Sequence, residues 1–348
     1  MNSSHRPKIA IATGDAGGIG PEISIKSALA PTVRNSCYPM LVSDPILLEK
    51  HAKASGLSTK FRVIERFDSS QWRPDEIAVL DPHFAGARDI QLGEVSARTG
   101  SASLAFARAA INAALVGMVD AVVAAPQNQR AIALAGIEFD GYPSFVARET
   151  GLPPHDVFLM LCFAGTKIAH CTLHVSVKEA IALITSERVF RVIAATDRAL
   201  RRLGVLSPNI SVGGLNPHAG EGGLFGTEDA QIITPAIEKA AAGGVRVSGP
   251  YGADTMFHRQ GVDAFIVMLH DQGHIAAKLQ APHATAGLAI GSPILFSSVA
   301  HGTGHDIVGK GVASPAAMIE AILRLASVRP QLGGAEERTG AEVTRATP

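Results

Sequence analysis

Short, wholly apolar runs recur along the chain, and nearly every one is followed by a pattern of helical period. KIAIAT (8–13) leads through a turn into a helix over about 21–29. PMLVS (39–43), EIAVLD (76–81) and AVVAAP (121–126) read as strands too, the last fed by an alanine-rich helix over 96–117. VFLMLCFAG, KIAHCTLH, NISVGGLNP and DAFIVMLHD continue the series, with helices over 186–203 and 228–242. A strand without polar alternation must be covered on both faces, and helices between successive strands supply that cover. The pattern predicts an α/β fold with a largely parallel sheet. One local departure is visible: 157–164 and 167–174 are separated only by Gly165 and Thr166, which predicts a hairpin. Ligands of such sheets bind beyond the carboxyl ends of the strands. Polar residues in those places are the first candidates for function.

A chain of 348 residues holds two domains of ordinary size or one large unit. Lys plus Arg equals Asp plus Glu, 31 each, which argues against a nucleic-acid or membrane-surface partner. No apolar run approaches the roughly 18–20 residues that span a bilayer. The polar opening MNSSHRPK leads directly into a strand, so no signal peptide is expected. Cys37, Cys162 and Cys171 are odd in number and lie in or beside apolar segments, as reduced thiols of a cytoplasmic protein would. The segment after 329 is polar and punctuated by Gly and Pro, and reads as disordered.

Several segments carry candidate chemistry. GDAGGIGPE (14–22) lies between a strand and a helix, a place that suits an anion or a ligand contacting backbone. No three of its glycines have the Gly-x-Gly-x-x-Gly spacing, so a tight strand–helix turn stays open as the alternative. GGLNPHAGEGGLFGTED (213–229) holds six glycines among Asn216, His218, Glu221, Glu228 and Asp229, a loop that a ligand can approach closely. His174, His218 and His270 each close a separate strand-like run, so three imidazoles can converge on a divalent metal. Surface or hydrogen-bonded histidines are the plainer alternative. His170 reads as structural, and Gly273 argues against His270 and His274 sharing one helix face. Lys278 and Asp271 add acid–base capacity, since a nearby cation favours the neutral form of a lysine.

Together these segments resemble one family, the 4-hydroxythreonine-4-phosphate dehydrogenases. GDAGGIGPE, GGLNPHAGEGG, GPYGADTMF, MLHDQG followed by Lys278, and HGTGHDIVGKG match its signatures in order, over about residues 8–325. The resemblance implies two α/β/α domains with a central cleft, isocitrate/isopropylmalate dehydrogenase-like. The first would comprise 1–128 plus 282–330. The second, 129–281, would carry the metal site and dimer interface, leaving 331–348 as a disordered tail. It further implies a homodimer with the active site at the subunit interface and metal histidines contributed across it. The ligands fall on His174, His218 and His270, with zinc the expected ion; the cleft lysine falls on Lys278 and the motif acids on Asp254 and Asp271. NAD or NADP would lie on Gly14, Asp15, Gly18, Asn216, His301 and Gly302, because this fold type binds it without a Rossmann turn.

Departures from the family pattern bear on substrate. Gly141-Tyr142-Pro143-Ser144-Phe145 stands where the phosphothreonine enzymes have Gly-His-Thr-Glu-Phe, and Phe296 stands for their substrate arginine. Exchanging Arg for Phe removes a fork of five donors suited to phosphate. A branch of the same family, the terephthalate dihydrodiol dehydrogenases, is similar in GYPS, VFLML, TLHVSV, LFGTED and HDQGHIAAKL, and in SSVAHG, where Ala300 replaces an acid. This branch implies metal- and NAD-dependent oxidative decarboxylation of terephthalate cis-dihydrodiol to protocatechuate, with Tyr142, Ser144 and Phe296 shaping the pocket. The alternative is a 4-hydroxythreonine-4-phosphate dehydrogenase of pyridoxal phosphate biosynthesis.

Overall fold

The computed structural model describes residues 6–68, 72–153, 155–163, 165–281, 285–299 and 301–326. The predicted tail (331–348) and Ala300 lie outside them. The first strands are β1 (Lys8–Ala12), β2 (Tyr38–Val42), β3 (Lys60–Val63), β4 (Glu76–Leu80) and β5 (Ala121–Ala124). Next come β6 (Phe158–Phe163), β7 (Thr166–His170), β8 (Asn209–Gly213) and β9 (Arg246–Tyr251). The series closes with β10 (Ala264–Val267), β11 (Ala286–Ile290) and β12 (Phe296–Val299). All belong to one 12-stranded sheet in the order β3-β4-β2-β1-β5-β12-β11-β6-β7-β10-β8-β9.

The apolar runs are buried on both faces, as their lack of alternation requires. In β1, Ile9 and Ile11 pack into one core cluster while Ala10 and Ala12 pack into another. In β6, Met160 and Cys162 face one cluster, Leu161 and Phe163 the other. Most neighbouring strands are parallel, but β12–β11, β11–β6 and β6–β7 are antiparallel. The last pair is the predicted hairpin, turning at Gly165 with φ +82°. Three reversals leave β7, β10, β8 and β9 running opposite to β1–β5 and β12.

The helices follow the sequence closely where caps are present. Gly20–Leu29 starts with Pro21 in its first turn. Ala97–Leu115 is capped by Ser96, whose side chain accepts from the Thr99 amide. Ser186–Arg202 is capped by Thr185. The strand expected to run through 271 ends instead at Val267, and His270 opens a helix, His270–Gln280. Likewise β7 ends at His170, so His174 lies on the loop beyond it. No helix among the described residues is long and apolar enough to cross a membrane.

Candidate active site

The helix His270–Gln280 is fixed by a single side chain. Gln272 Oε1 accepts from the amides of Met268 and Leu269 at 2.9 and 3.0 Å, turning the chain sharply out of β10. Its amide nitrogen donates to the Gly214 carbonyl at 3.1 Å, tying this turn to the loop after β8. Gly273 does not interrupt the helix, contrary to the sequence reading. A Cβ there would sit 2.2 Å from His170 Nε2, so glycine is a packing requirement. His270 and His274 therefore share one face and stack at 3.7 Å. His170 meets His274 at 4.8 Å, and His174 meets His270 at 5.5 Å. Burial holds the pKa of His170 down at about 3 and that of His274 at about 4, so both rings are neutral near pH 7.

His218 is not gathered into this set. It lies beyond β8 in the turn Pro217–Gly223, where six successive residues from His218 to Gly223 have positive φ. Left-handed backbone costs a non-glycine residue about 1 kcal/mol or more, and His218, Ala219 and Glu221 all adopt it. Asp229, buried, holds the loop by accepting from the amides of Leu215 and Asn216 at 2.7 and 3.0 Å. The Asn216 side chain donates to Glu228 at 2.8 Å.

Among the described residues no three His, Cys, Asp or Glu side chains of one chain converge on a metal position. The donor chemistry nonetheless suits one. Asp271 binds His270 Nδ1 at 2.7 Å and Glu221 binds His218 Nδ1 at 3.0 Å. Carboxylates placed on Nδ1 fix the tautomer and leave Nε2 as the ligating atom, the usual second partner of a metal-bound histidine. Asp254 is exposed, with its carboxylate beside Gly252 next to the His218 turn. Lys278 is exposed, two turns along the helix from His270.

A cavity of about 240 Å³ lies against the antiparallel middle of the sheet. Residues of β6, β7 and β12 line it, with Tyr142, Ser144, His174 and Arg188. Tyr142 presents its ring, because its hydroxyl donates to the Ala125 carbonyl at 3.1 Å and accepts from Gln127 at 2.7 Å. Burial raises the pKa of that phenol, which stays protonated. Ser144 donates to Asp140 and to the Gly141 carbonyl. Phe296 is buried in the core and packs against Tyr142 with ring centroids 4.8 Å apart and the planes tilted by 49°, so it reaches the cavity through that ring. Arg188 is absent from the sequence reading. Its Nε binds the Cys171 carbonyl at 2.6 Å, and a backbone acceptor leaves no signature in sequence.

Gly14, Asp15 and Gly18 are buried, and the segment 14–20 is clamped by the chain's own backbone. A Cβ on Gly14 would meet the Pro126 carbonyl oxygen at 2.5 Å, and one on Gly18 the Thr303 oxygen at 2.5 Å. Asp15 accepts from the Gly17 amide at 2.9 Å and faces His305 Nε2 at 3.1 Å; burial raises its pKa against both. The segment thus locks 301–311 to β1. His301 and Gly302 are exposed on that docked loop, and the space around the Gly302 Cα is open. Asn216 belongs to the Asp229 network described above.

Imidazoles, one of them the buried and neutral His170, gathered with aromatic rings and one cation on a small cavity beside an α/β sheet define an enzyme for small molecules. A family model described as "Pyridoxal phosphate biosynthetic protein PdxA" matches residues 35–325, and the chain belongs to that family. It is an NAD(P)-dependent dehydrogenase. The 1,2-dihydroxy-3,5-cyclohexadiene-1,4-dicarboxylate dehydrogenase of Comamonas sp is 40% identical over 326 residues, covering 93% of this chain and 98% of that protein. A crystal structure of a 4-hydroxythreonine-4-phosphate dehydrogenase from Burkholderia phymatum matches with TM-score 0.83 and 34% identity, covering 93% and 99% of the two chains. One of a terephthalate 1,2-cis-dihydrodiol dehydrogenase from Burkholderia xenovorans matches with TM-score 0.74 and 38% identity, covering 93% and 98%. The large mixed sheet is common to these structures.

Proposed function

We propose that this protein oxidises and decarboxylates terephthalate cis-dihydrodiol to protocatechuate, with NAD or NADP as hydride acceptor. The observation that carries the reading is the pairing of Tyr142 with Phe296. Where the phosphothreonine enzymes place donors for a phosphate, this chain puts the Tyr142 ring on the cavity wall with Phe296 packed behind it, a surface suited to a flat ring. The Comamonas relative carries the corresponding substrate in its description.

In the proposed reaction the C2 alcohol loses a hydride and a proton and becomes a ketone β to the C1 carboxylate. The C1–carboxylate bond then breaks, carbon dioxide leaves, and the bonding pair stays on the ring, where protonation and tautomerisation give the catechol. His174 and His270 would hold a divalent metal, zinc first, with His218 supplied by a second copy of the chain. Such a metal, when bound, supplies Lewis-acid stabilisation of negative charge on oxygen. Lys278 and Asp271, with Asp254, would carry the protons. Gly14, Asp15 and Gly18 would set the shape of the cofactor side and His301 with Gly302 its exposed backbone, while Asn216 would border it from the His218 loop. We further read the chain as two α/β/α units, 1–128 plus 282–330 and 129–281, about a cleft of the isocitrate dehydrogenase type. The unit is a cytoplasmic homodimer in this reading, consistent with three buried free thiols.

The same fold serves a phosphorylated hydroxy acid in the Burkholderia phymatum enzyme. NADH formation from terephthalate cis-dihydrodiol and from 4-phosphohydroxythreonine, each with and without chelator, separates the two. Chelator-sensitive turnover of the dihydrodiol alone is expected. Turnover of the phosphorylated substrate alone would mean the aromatic wall was misread.

A further inference from the structure

Arg188 sits half-buried on the wall of the cavity, its guanidinium over the Phe158 ring at 5.3 Å, and lacks a counter-charge of its own among the described residues. Its Nε and Nη1 bind the carbonyls of Cys171 and His155 at 2.6 and 3.2 Å, while Nη2 has no bond among the described residues. No carboxylate pairs with it there. The acid that acts on it from nearby is Asp156, and Asp156 is already bound by Arg191. The remaining charged neighbour, Arg191, repels it, and burial lowers its pKa. Asp140 lines the same cavity but is turned to Ser144 and Arg148. A guanidinium withdrawn from water without a counter-charge is costly unless an anion completes it. Both backbone bonds fix the plane of the fork, so its free edge is pre-oriented.

We propose that Arg188 anchors a carboxylate of the substrate, namely the one retained in the product. The assignment to the retained group rests on the dihydrodiol reading above. A carboxylate that departs as carbon dioxide must give up its charge, and a guanidinium holding it would oppose that loss. The carboxylate at C4 keeps its charge throughout, so an ion pair there costs the reaction nothing and places C1 and C2 at the histidines.

The test compares the dihydrodiol with its C4 carboxamide analogue, in the wild type and in Arg188→Gln. With the carboxylate substrate, Arg188→Gln is expected to raise KM about 10- to 100-fold and leave kcat within a few-fold. In the wild type the carboxamide should show a similar KM penalty, and the variant should not discriminate between the two. The carboxamide arm needs no mutation, so it decides even if Arg188→Gln fails to fold; Arg188→Lys, which keeps the charge but not the fork, should fall between. Dihydrodiol turnover with no carboxylate–carboxamide difference would overturn the anchor and leave the function standing. In parallel, thermal stabilisation by terephthalate and by inorganic phosphate is measured for both proteins. No dihydrodiol turnover, but anion stabilisation lost in Arg188→Gln, would keep the anchor and overturn the substrate. Neither effect would overturn both.

Discussion

His51 is wholly buried, and its Nε2 donates to the Ala16 carbonyl at 2.8 Å, behind the glycine segment that clamps 301–311. Burial lowers its pKa from 6.5 to about 4. Between those values the unfolded chain binds a proton that the folded one refuses. Its stabilising contribution is therefore complete above pH 6.5 and is lost as pH falls towards 4, up to ~3 kcal/mol in all. Urea midpoints against pH should fall more steeply for the wild type than for His51→Gln over that window. Parallel profiles would show that His51 does not titrate as its burial demands. A second residue-scale expectation concerns Asp271, whose carboxylate sits 2.7 Å from His270 Nδ1. Asp271→Asn should weaken metal binding about 10- to 100-fold, read by chelator competition, while leaving the fold intact because the side chain is exposed. An unchanged affinity would mean that Asp271 does not orient a metal ligand.

At the scale of elements, the helix His270–Gln280 shows how packing overrides a local signal. Glycine weakens an isolated helix by about 1 kcal/mol relative to alanine, so Gly273→Ala ought to stabilise it on propensity alone. The added Cβ, however, would meet His170 Nε2 at 2.2 Å and Ile168 Cγ2 at 2.9 Å, both buried. Overpacking of this kind costs typically ~1–3 kcal/mol, and we expect it to win, giving a net loss in chemical denaturation. A gain would mean that His170 swings away without cost. The same glycine marks a limit of the sequence reading, because no local rule distinguishes a helix-breaking glycine from one cut to fit a neighbouring strand. His270 was legible as a candidate but not as a helix start, since Leu269 offers no capping side chain and Gln272 performs that work from inside the helix. The loop 213–229 was legible as unusual from its glycines, yet its left-handed turn depends on Asp229 thirteen to fourteen residues from the amides it binds.

Across the whole molecule, the central strands were readable because burial on both faces leaves a continuous apolar run, as in β1, β5 and β10. The edge strands β3 and β9 were not. KFRV is largely exposed, and RVSGPY carries Gly and Pro that an inner strand would exclude. β11 and β12 were hidden for another reason: they form an antiparallel pair in mid-sheet, β11 opposing both β12 and β6, and the parallel rhythm of the rest gives no cue for that. The topology has a consequence for the site. β7, β10 and β8 are parallel neighbours, so the segments bearing His174, His270 and His218 leave the same end of the sheet. Even so, one chain brings only the first two rings together among the described residues, at 5.5 Å, while the His218 ring is bonded to Glu221 within its own turn. If the third ligand comes from a second copy, each site is a composite of two chains, and defects in different contributors must complement. His218→Ala and His270→Ala are each expected to be inactive as homodimers. Unfolded together and refolded as a mixture, half the dimers would carry both variants, and each such dimer would hold one intact site and one doubly broken one. Activity should then recover to about a quarter of the wild-type level, with chelator-resistant metal in the same proportion. No recovery, in a mixture shown to exchange subunits, would place all three histidines in one chain and require the turn Pro217–Gly223 to move onto His174 and His270.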